Sequence, residues 1–347
     1  FGSSEALVQD VRGCLMAAIA RSPHPQENRV FATAHVLQTK AAEKREFVQK
    51  FIRSLERAER QNAATDRAWL RDVVNPQDLC FQTLVKLLLA KKYEGFVSLH
   101  CVCLRAMQMM LRIAVNMVAT GDRSHDVPHA GLQCFTALAG ATLAEECYPR
   151  ICRMAEYQVE TLLACNSILV LAELGPQALR LHHSEKLLDL FVSVPERADE
   201  LVEVALRMHS WGGEQRTALL QGLVSHDGGH LVGEVLLQVV NRGDEGRKSR
   251  ALKILTGCLD LPGGSCLLYT NDALVLIEIL LRELPCVAED AASFEVHAKC
   301  LLAITRSSCA ARVHRHDEVV QMLGDVREDQ RNPLDVRQTC AHLVEFL

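Results

Sequence analysis

The strongest constraint on this fold is a rhythm. Apolar residues recur at helical spacing in one segment after another, each closed within a few residues by Gly, Pro or Asn. No stretch alternates apolar and polar residues as a half-buried strand would, and hairpin turn signals are few. Roughly sixteen segments of about 12 to 20 residues with short connections describe an all-α chain whose helices stack on their sequence neighbours, a helical solenoid. A period near ~40 residues fits armadillo or HEAT units, in a degenerate form. The expected architecture is one elongated armadillo/HEAT-like domain over residues 1–347.

Composition agrees. Hydrophobic residues make up 49% and aromatics only 5%, so the core is aliphatic and suited to helices. The first half reads as helices at Glu5–Ala20 (closed by Ser22-Pro23-His24-Pro25), Val30–Arg60, Thr65–Val74, Pro76–Lys91 and Tyr93–Ala119. In the second of these, Phe47, Phe51, Leu55 and Ala58 mark the buried stripe, and Glu46 with Lys50 and Glu56 with Arg60 pair along the outside. Met107, Met109, Met110 and Met117 read as core, with a soft partner groove as the alternative. After a loop at Gly121–Pro128 come His129–Ala144, Cys147–Leu163 and Cys165–Leu174, stopped by Gly175-Pro176. The second half continues with Pro176–Val192, Pro195–His209, Gly213–Val224, Gly229–Asn241, Gly246–Leu259, a central helix before Leu284, Ala291–Arg306, Asp317–Val326 and Pro333–Phe346.

Several function classes are disfavoured. With 38 basic and 43 acidic residues interspersed (net −5), neither nucleic acid nor an anionic membrane is the default partner. Long uncharged runs such as His129–Ala144 are too short and too polar to span a bilayer. The fourteen cysteines are scattered through apolar helical patterns (Cys80, Cys134, Cys165, Cys258, Cys300) without a CxxC, as expected of buried thiols in a reducing cytosol. The opening FGSSEALVQD has no initiator Met and no apolar signal core, as in a piece of a longer chain.

Chemistry-bearing motifs are equally sparse. Gly228-Gly229 and Gly263-Gly264 lack the Lys-Ser/Thr of a phosphate loop, and no GxSxG elbow occurs. His226 and His230 flank Asp227, but Gly228-Gly229 breaks the helix that would align them on a metal, and His314-Arg315-His316-Asp317 lacks further convergent ligands. His182-His183 reads as helix surface, and Glu145-Glu146 and Glu289-Asp290 as solvated charges. No catalytic residue, metal, cofactor or small-molecule substrate is expected. Solenoids bind proteins along their surface, but Trp69 and Trp211 are too few for the Trp–Asn ladders of peptide-binding armadillo proteins.

The least generic stretch is Cys266 to Leu284, CLLYTNDALVLIEILLREL. Thr270, Asn271 and Asp272 offer oxygens to the first-turn amides, and Asp272 suits the positive helix end. Leu274, Ile277, Leu281 and Leu284 share one face, while Glu278 and Arg282 stand four apart opposite. Leu268-Tyr269-Thr270-Asn271-Asp272 with the apolar run to Leu281-Arg282 resembles the signature of the WISH/DIP/SPIN family, the NCK-interacting protein with SH3 domain and its fungal relatives. The likeness continues through Phe294–Arg306 to Val313-His314-Arg315-His316 and the helix Glu318–Leu323, covering residues 252–323. Three features depart from the family: Glu278 where Asp is typical, Val296-His297 in place of a Tyr-Leu, and no preceding SH3 or proline-rich segment.

The resemblance implies an armadillo-repeat activator of the actin-related protein 2/3 (Arp2/3) complex. Such a protein works without a preformed filament or WASP-type activator, and nucleates linear filaments that seed branched networks. It reaches the filament's pointed end only through the complex. Cytoplasmic location at the cortical actin network, and a part in endocytosis, follow from the same likeness. Arg282, His314, Arg315 and His316, polar groups next to apolar helices, are the candidate partner contacts, with a solvated helix start as the second reading of Arg315 and His316. Tyr269, Asn271 and Asp272 have two readings, as further contacts or as a helix cap beside a buried phenol. The alternative function is a generic armadillo/HEAT scaffold for an unrelated partner.

Overall fold

A computed structural model describes residues 41–61, 64–75, 79–93, 96–121, 130–156, 160–179 and 182–347. The sequence readings for Glu5–Ala20, the first part of Val30–Arg60, Pro76 and the loop to Pro128 fall outside these residues. Every regular element among the described residues is helical. The chain divides into two compact units, Phe1–His183 and Ser184–Leu347.

The first unit contains α1 (Ala41–Gln61), α2 (Ala64–Val73), α3 (Cys80–Leu89), α4 (Val97–Gly121), α5 (Ala130–Ala139), α6 (Ala141–Ala155) and α7 (Thr161–Leu174). Its centre is α4, which packs on α7, α1, α3 and α5. Met107, Met109 and Met110 are fully buried, so the methionine cluster is core, although Met117 is only half-buried. The expected stripe on α1 is seen at Phe51, Leu55 and Ala58, joined by Val48 in place of the half-buried Phe47. Glu46 and Lys50 pair at 2.8 Å. Arg60 instead donates to the Glu56 carbonyl. Residues 97–117 are long and apolar enough to cross a membrane, a stretch the sequence reading passed over. In this unit 67% of its most apolar window is buried. Arg112 of the same helix binds Glu59 of α1 at 2.6 Å.

One boundary differs instructively. The run His129–Ala144 is two helices, broken where Gly140 adopts φ 80°, and the following helix runs to Ala155 through Pro149. Gly131 is required for another reason, because a Cβ there would lie 1.9 Å from the Glu173 carbonyl oxygen of α7. Trp69 is buried, Trp211 half-buried, and His183, read as surface, is fully buried.

The helix α8 (His182–Ser193) opens the second unit, followed by α9 (Ala198–Trp211), α10 (Gly213–Ser225), α11 (Gly229–Arg242), α12 (Glu245–Leu259), α13 (Thr270–Glu283), α14 (Ala291–Ser307), α15 (Cys309–Val313), α16 (His316–Glu328) and α17 (Leu334–Phe346). These match the sequence expectations within a few residues, apart from the later start of α8 and the short α15, which periodicity could not show. Helices contact partners near in sequence: α9 with α10 and α12, α12 with α11 and α14, α16 with α17. Such stacking makes an all-α helical solenoid. Burial drives the thiols of Cys147, Cys258 and Cys300 up to about 12. Cys266, Cys286 and Cys309 are exposed.

Candidate interaction surface

The α13 helix organises the surface. Its buried side is Ala273, Leu276, Ile277, Ile279 and Leu280, continued by Leu284. Of the expected stripe, Ile277 and Leu284 hold, while Leu274 and Leu281 are only half-buried. The face is rotated because α11, α14 and α15 all pack against this helix. Tyr269 is the N-cap and no side chain caps the first turn. Its carbonyl accepts from Ala273 N at 2.9 Å, so the backbone alone begins the helix. The phenol is not buried: Tyr269 is 54% exposed, with its ring 5.1 Å from that of His230. Asn271 is exposed and Asp272 half-buried.

The expected Glu278–Arg282 pair does not form. Glu278 turns to the next element, accepting from His314 Nε2 at 2.8 Å and from the Arg315 guanidinium. Arg315 also binds Glu318 of α16. The hydrogen bond from His314, followed by that from Arg315 and its charge, holds the Glu278 carboxyl below its usual range. Hydrogen bonds to Glu318 and Glu278 push Arg315 up. Arg315 sits at φ 51°, a left-handed conformation uncommon outside glycine, and directly precedes α16. Its position is thus held from both sides, by two carboxylates and by a kink.

Arg282 reaches back to Asn241 of α11 at 3.2 Å and to Glu283 at 2.9 Å. Glu283 in turn holds Lys248 of α12 at 3.2 Å. Burial raises the Glu283 carboxyl, but the bonds from Arg282 and Lys248 outweigh it and the net shift is downward. Between Arg282 and Arg315 lies an open groove of about 640 Å³. Val275, Ile279, Leu281 and Met322 supply its apolar lining, and Glu278, Glu318 and Asp325 its acidic lining.

The seven sequence-selected residues therefore separate. Arg282 and Arg315 line the groove, and His314 stands behind it as a partner of Glu278. His316 points elsewhere, with Nε2 3.3 Å from the Leu347 carbonyl and Nδ1 3.3 Å from Asp317. Tyr269, Asn271 and Asp272 lie at the start of α13, about 15 to 20 Å from Arg282 by helical rise, outside the groove lining that begins at Val275. Sequence reasoning missed Asn241, Glu318 and Met322, and it saw Glu278 as a local partner of Arg282 and as a departure from the family pattern, not as a partner of His314 and Arg315. The solitary carboxylate inside LVLIEILL was the available signal.

The histidines flanking Asp227 have separate partners. His226 accepts from Gly228 N on Nδ1 and lies 3.2 Å from Asp189 through Nε2, while His230 faces Tyr269. No group of three potential metal ligands occurs among the described residues.

Residues 184–319 match the family model described as SPIN90/Ldb17, leucine-rich domain. Over these residues the chain is similar to that family's domain. No curated protein matches the chain. The matched stretch begins at Ser184, where the second unit begins, and it includes α13, His314, Arg315 and most of the groove. The domain family is linked to actin-related and endocytic function.

Proposed function

We propose that the chain binds the actin-related protein 2/3 complex and activates it without a preformed filament or a WASP-type activator, giving linear filaments that seed branched networks. The match of residues 184–319 to the SPIN90/Ldb17 leucine-rich domain carries this reading. The mechanism is population shift. A rigid binder that contacts the active arrangement of the complex better than the resting one stabilises it by that difference in affinity and no more. The groove beside α13 offers apolar contact area flanked by guanidiniums that ion pairs hold in place, so little ordering entropy is lost on binding.

In this reading the chain is a binding protein without catalytic chemistry, and it acts in the cytoplasm at the cortical actin network. The test is pyrene-actin assembly with the purified complex, this chain in titration, no filament seeds and no other activator. A lag shortened only when both are present, with unbranched filaments under the microscope, is the expected result. Binding without a shortened lag would overturn activation, and absence of binding would overturn the partner.

A further inference from the structure

Away from the groove, the ends of α14, α15 and α17 bring two cations onto one ring. The Arg306 guanidinium lies 4.8 Å from the Phe346 ring centroid and that of Arg312 lies 5.5 Å from it. The two charges are thus within about 10 Å of each other, both in cation–π range of the same ring. Both arginines are exposed. Arg312 donates its Nε to the Thr305 carbonyl at 3.1 Å, which fixes the plane of its guanidinium.

Neither cation has a carboxylate partner among the described residues, whereas neighbouring cations do. Lys299 of α14 pairs with Glu295 at 2.6 Å, Arg315 with Glu278 and Glu318, and Arg331 with Asp329 at 2.7 Å. Leaving two positive charges side by side without a counter-charge is unfavourable, and the ring offsets only part of it. Val313, which follows Arg312 in the chain, is 73% exposed, the most exposed large hydrophobic residue described. A pre-positioned pair of guanidinium edges next to an uncovered aliphatic side chain is a two-part recognition feature.

We propose that Arg306, Arg312 and Val313 form a docking surface for an acidic protein segment. Carboxylates of the segment take the free edges of the two guanidiniums, and an aliphatic residue of the segment covers Val313. Two cations suit a pair of carboxylates. They are too few for a membrane surface, which takes about 4 to 8 clustered basic residues, or for a track of phosphates along nucleic acid. The surface is distinct from the α13 groove and does not depend on the proposed action on the actin-related complex.

The test uses the whole chain and fluorescence anisotropy of a labelled peptide of glutamates around one leucine. Saturable binding that weakens with added salt is expected. The double variant Arg306→Gln, Arg312→Gln is expected to bind about tenfold more weakly. Phe346→Leu, which keeps both charges but loses the ring, should weaken binding severalfold. Lys299→Gln, an already paired cation on α14, should leave it unchanged, and thermal melts verify that the charge variants fold. Equal affinity in the double variant overturns the proposal. So does failure of the wild-type chain to bind the peptide, equal binding of a lysine peptide of the same length, or stronger capture on phosphatidylserine vesicles than on the peptide.

Discussion

His314 Nε2 donates to Glu278 across 2.8 Å, joining the end of α15 to the middle of α13 over thirty-six positions of sequence. The bond diverts Glu278 from the local partner that helical spacing offers it, and with Arg315 it fixes one wall of the groove. Glu278→Gln keeps the shape and removes the charge. It is expected to cost only about 0.5 kcal/mol in urea unfolding, since the pair is largely solvent-screened. The loss should shrink further in high salt. A salt-independent loss would mean that Glu278 acts through packing.

Arg282 and Arg315 are the two sequence-selected cations that line the groove. If the proposed function uses this surface, Arg282→Ala with Arg315→Ala is expected to lengthen the pyrene-actin lag severalfold at fixed concentration, with helicity unchanged by circular dichroism. Tyr269→Ala, at the far end of α13, should leave the lag unchanged. The reverse pattern would move the contact to the Tyr269 end.

Gly233 of α11 is fixed by a close approach, since a Cβ there would lie 2.3 Å from the Leu267 backbone oxygen. Gly233→Ala must push the segment that leads into α13, and is expected to cost about 1–3 kcal/mol in chemical unfolding. Gly324, in mid-helix with nothing near its added Cβ, is the control. Gly324→Ala should stabilise by about 0.4–1 kcal/mol. Similar signs for both would refute this packing account.

His209 is 5% exposed, and its Nε2 has no hydrogen-bond partner. Burial first, then the charges of Arg216 and Lys253, push its pKa from the ordinary 6.5 down to about 4. The unfolded chain therefore binds a proton that the folded chain refuses, and stability falls as pH drops from about 6.5 to about 4. Thermal melts across that window should show a steeper decline for the wild-type chain than for His209→Leu. Parallel declines would assign the acid sensitivity to the carboxylates.

The sequence by itself determined the all-α class, most helix positions of the second unit, the burial of Met107, Met109 and Met110 and of most but not all of the described thiols, and the family likeness that the match over residues 184–319 bears out. These follow from short-range physics: the 3.6-residue period, Gly and Pro punctuation, and burial of whatever is apolar. Tertiary structure decided the rest. Which face of α13 is buried depends on α11, α14 and α15 packing on it from three directions. The partner of Glu278 depends on where α15 ends, and a five-residue helix leaves no period to read. The exposure of Tyr269 and the pairing of Arg306 with Arg312 on Phe346 join residues dozens of positions apart. Side chains choose among local and distant partners by small differences in free energy, so only the packed chain settles that choice.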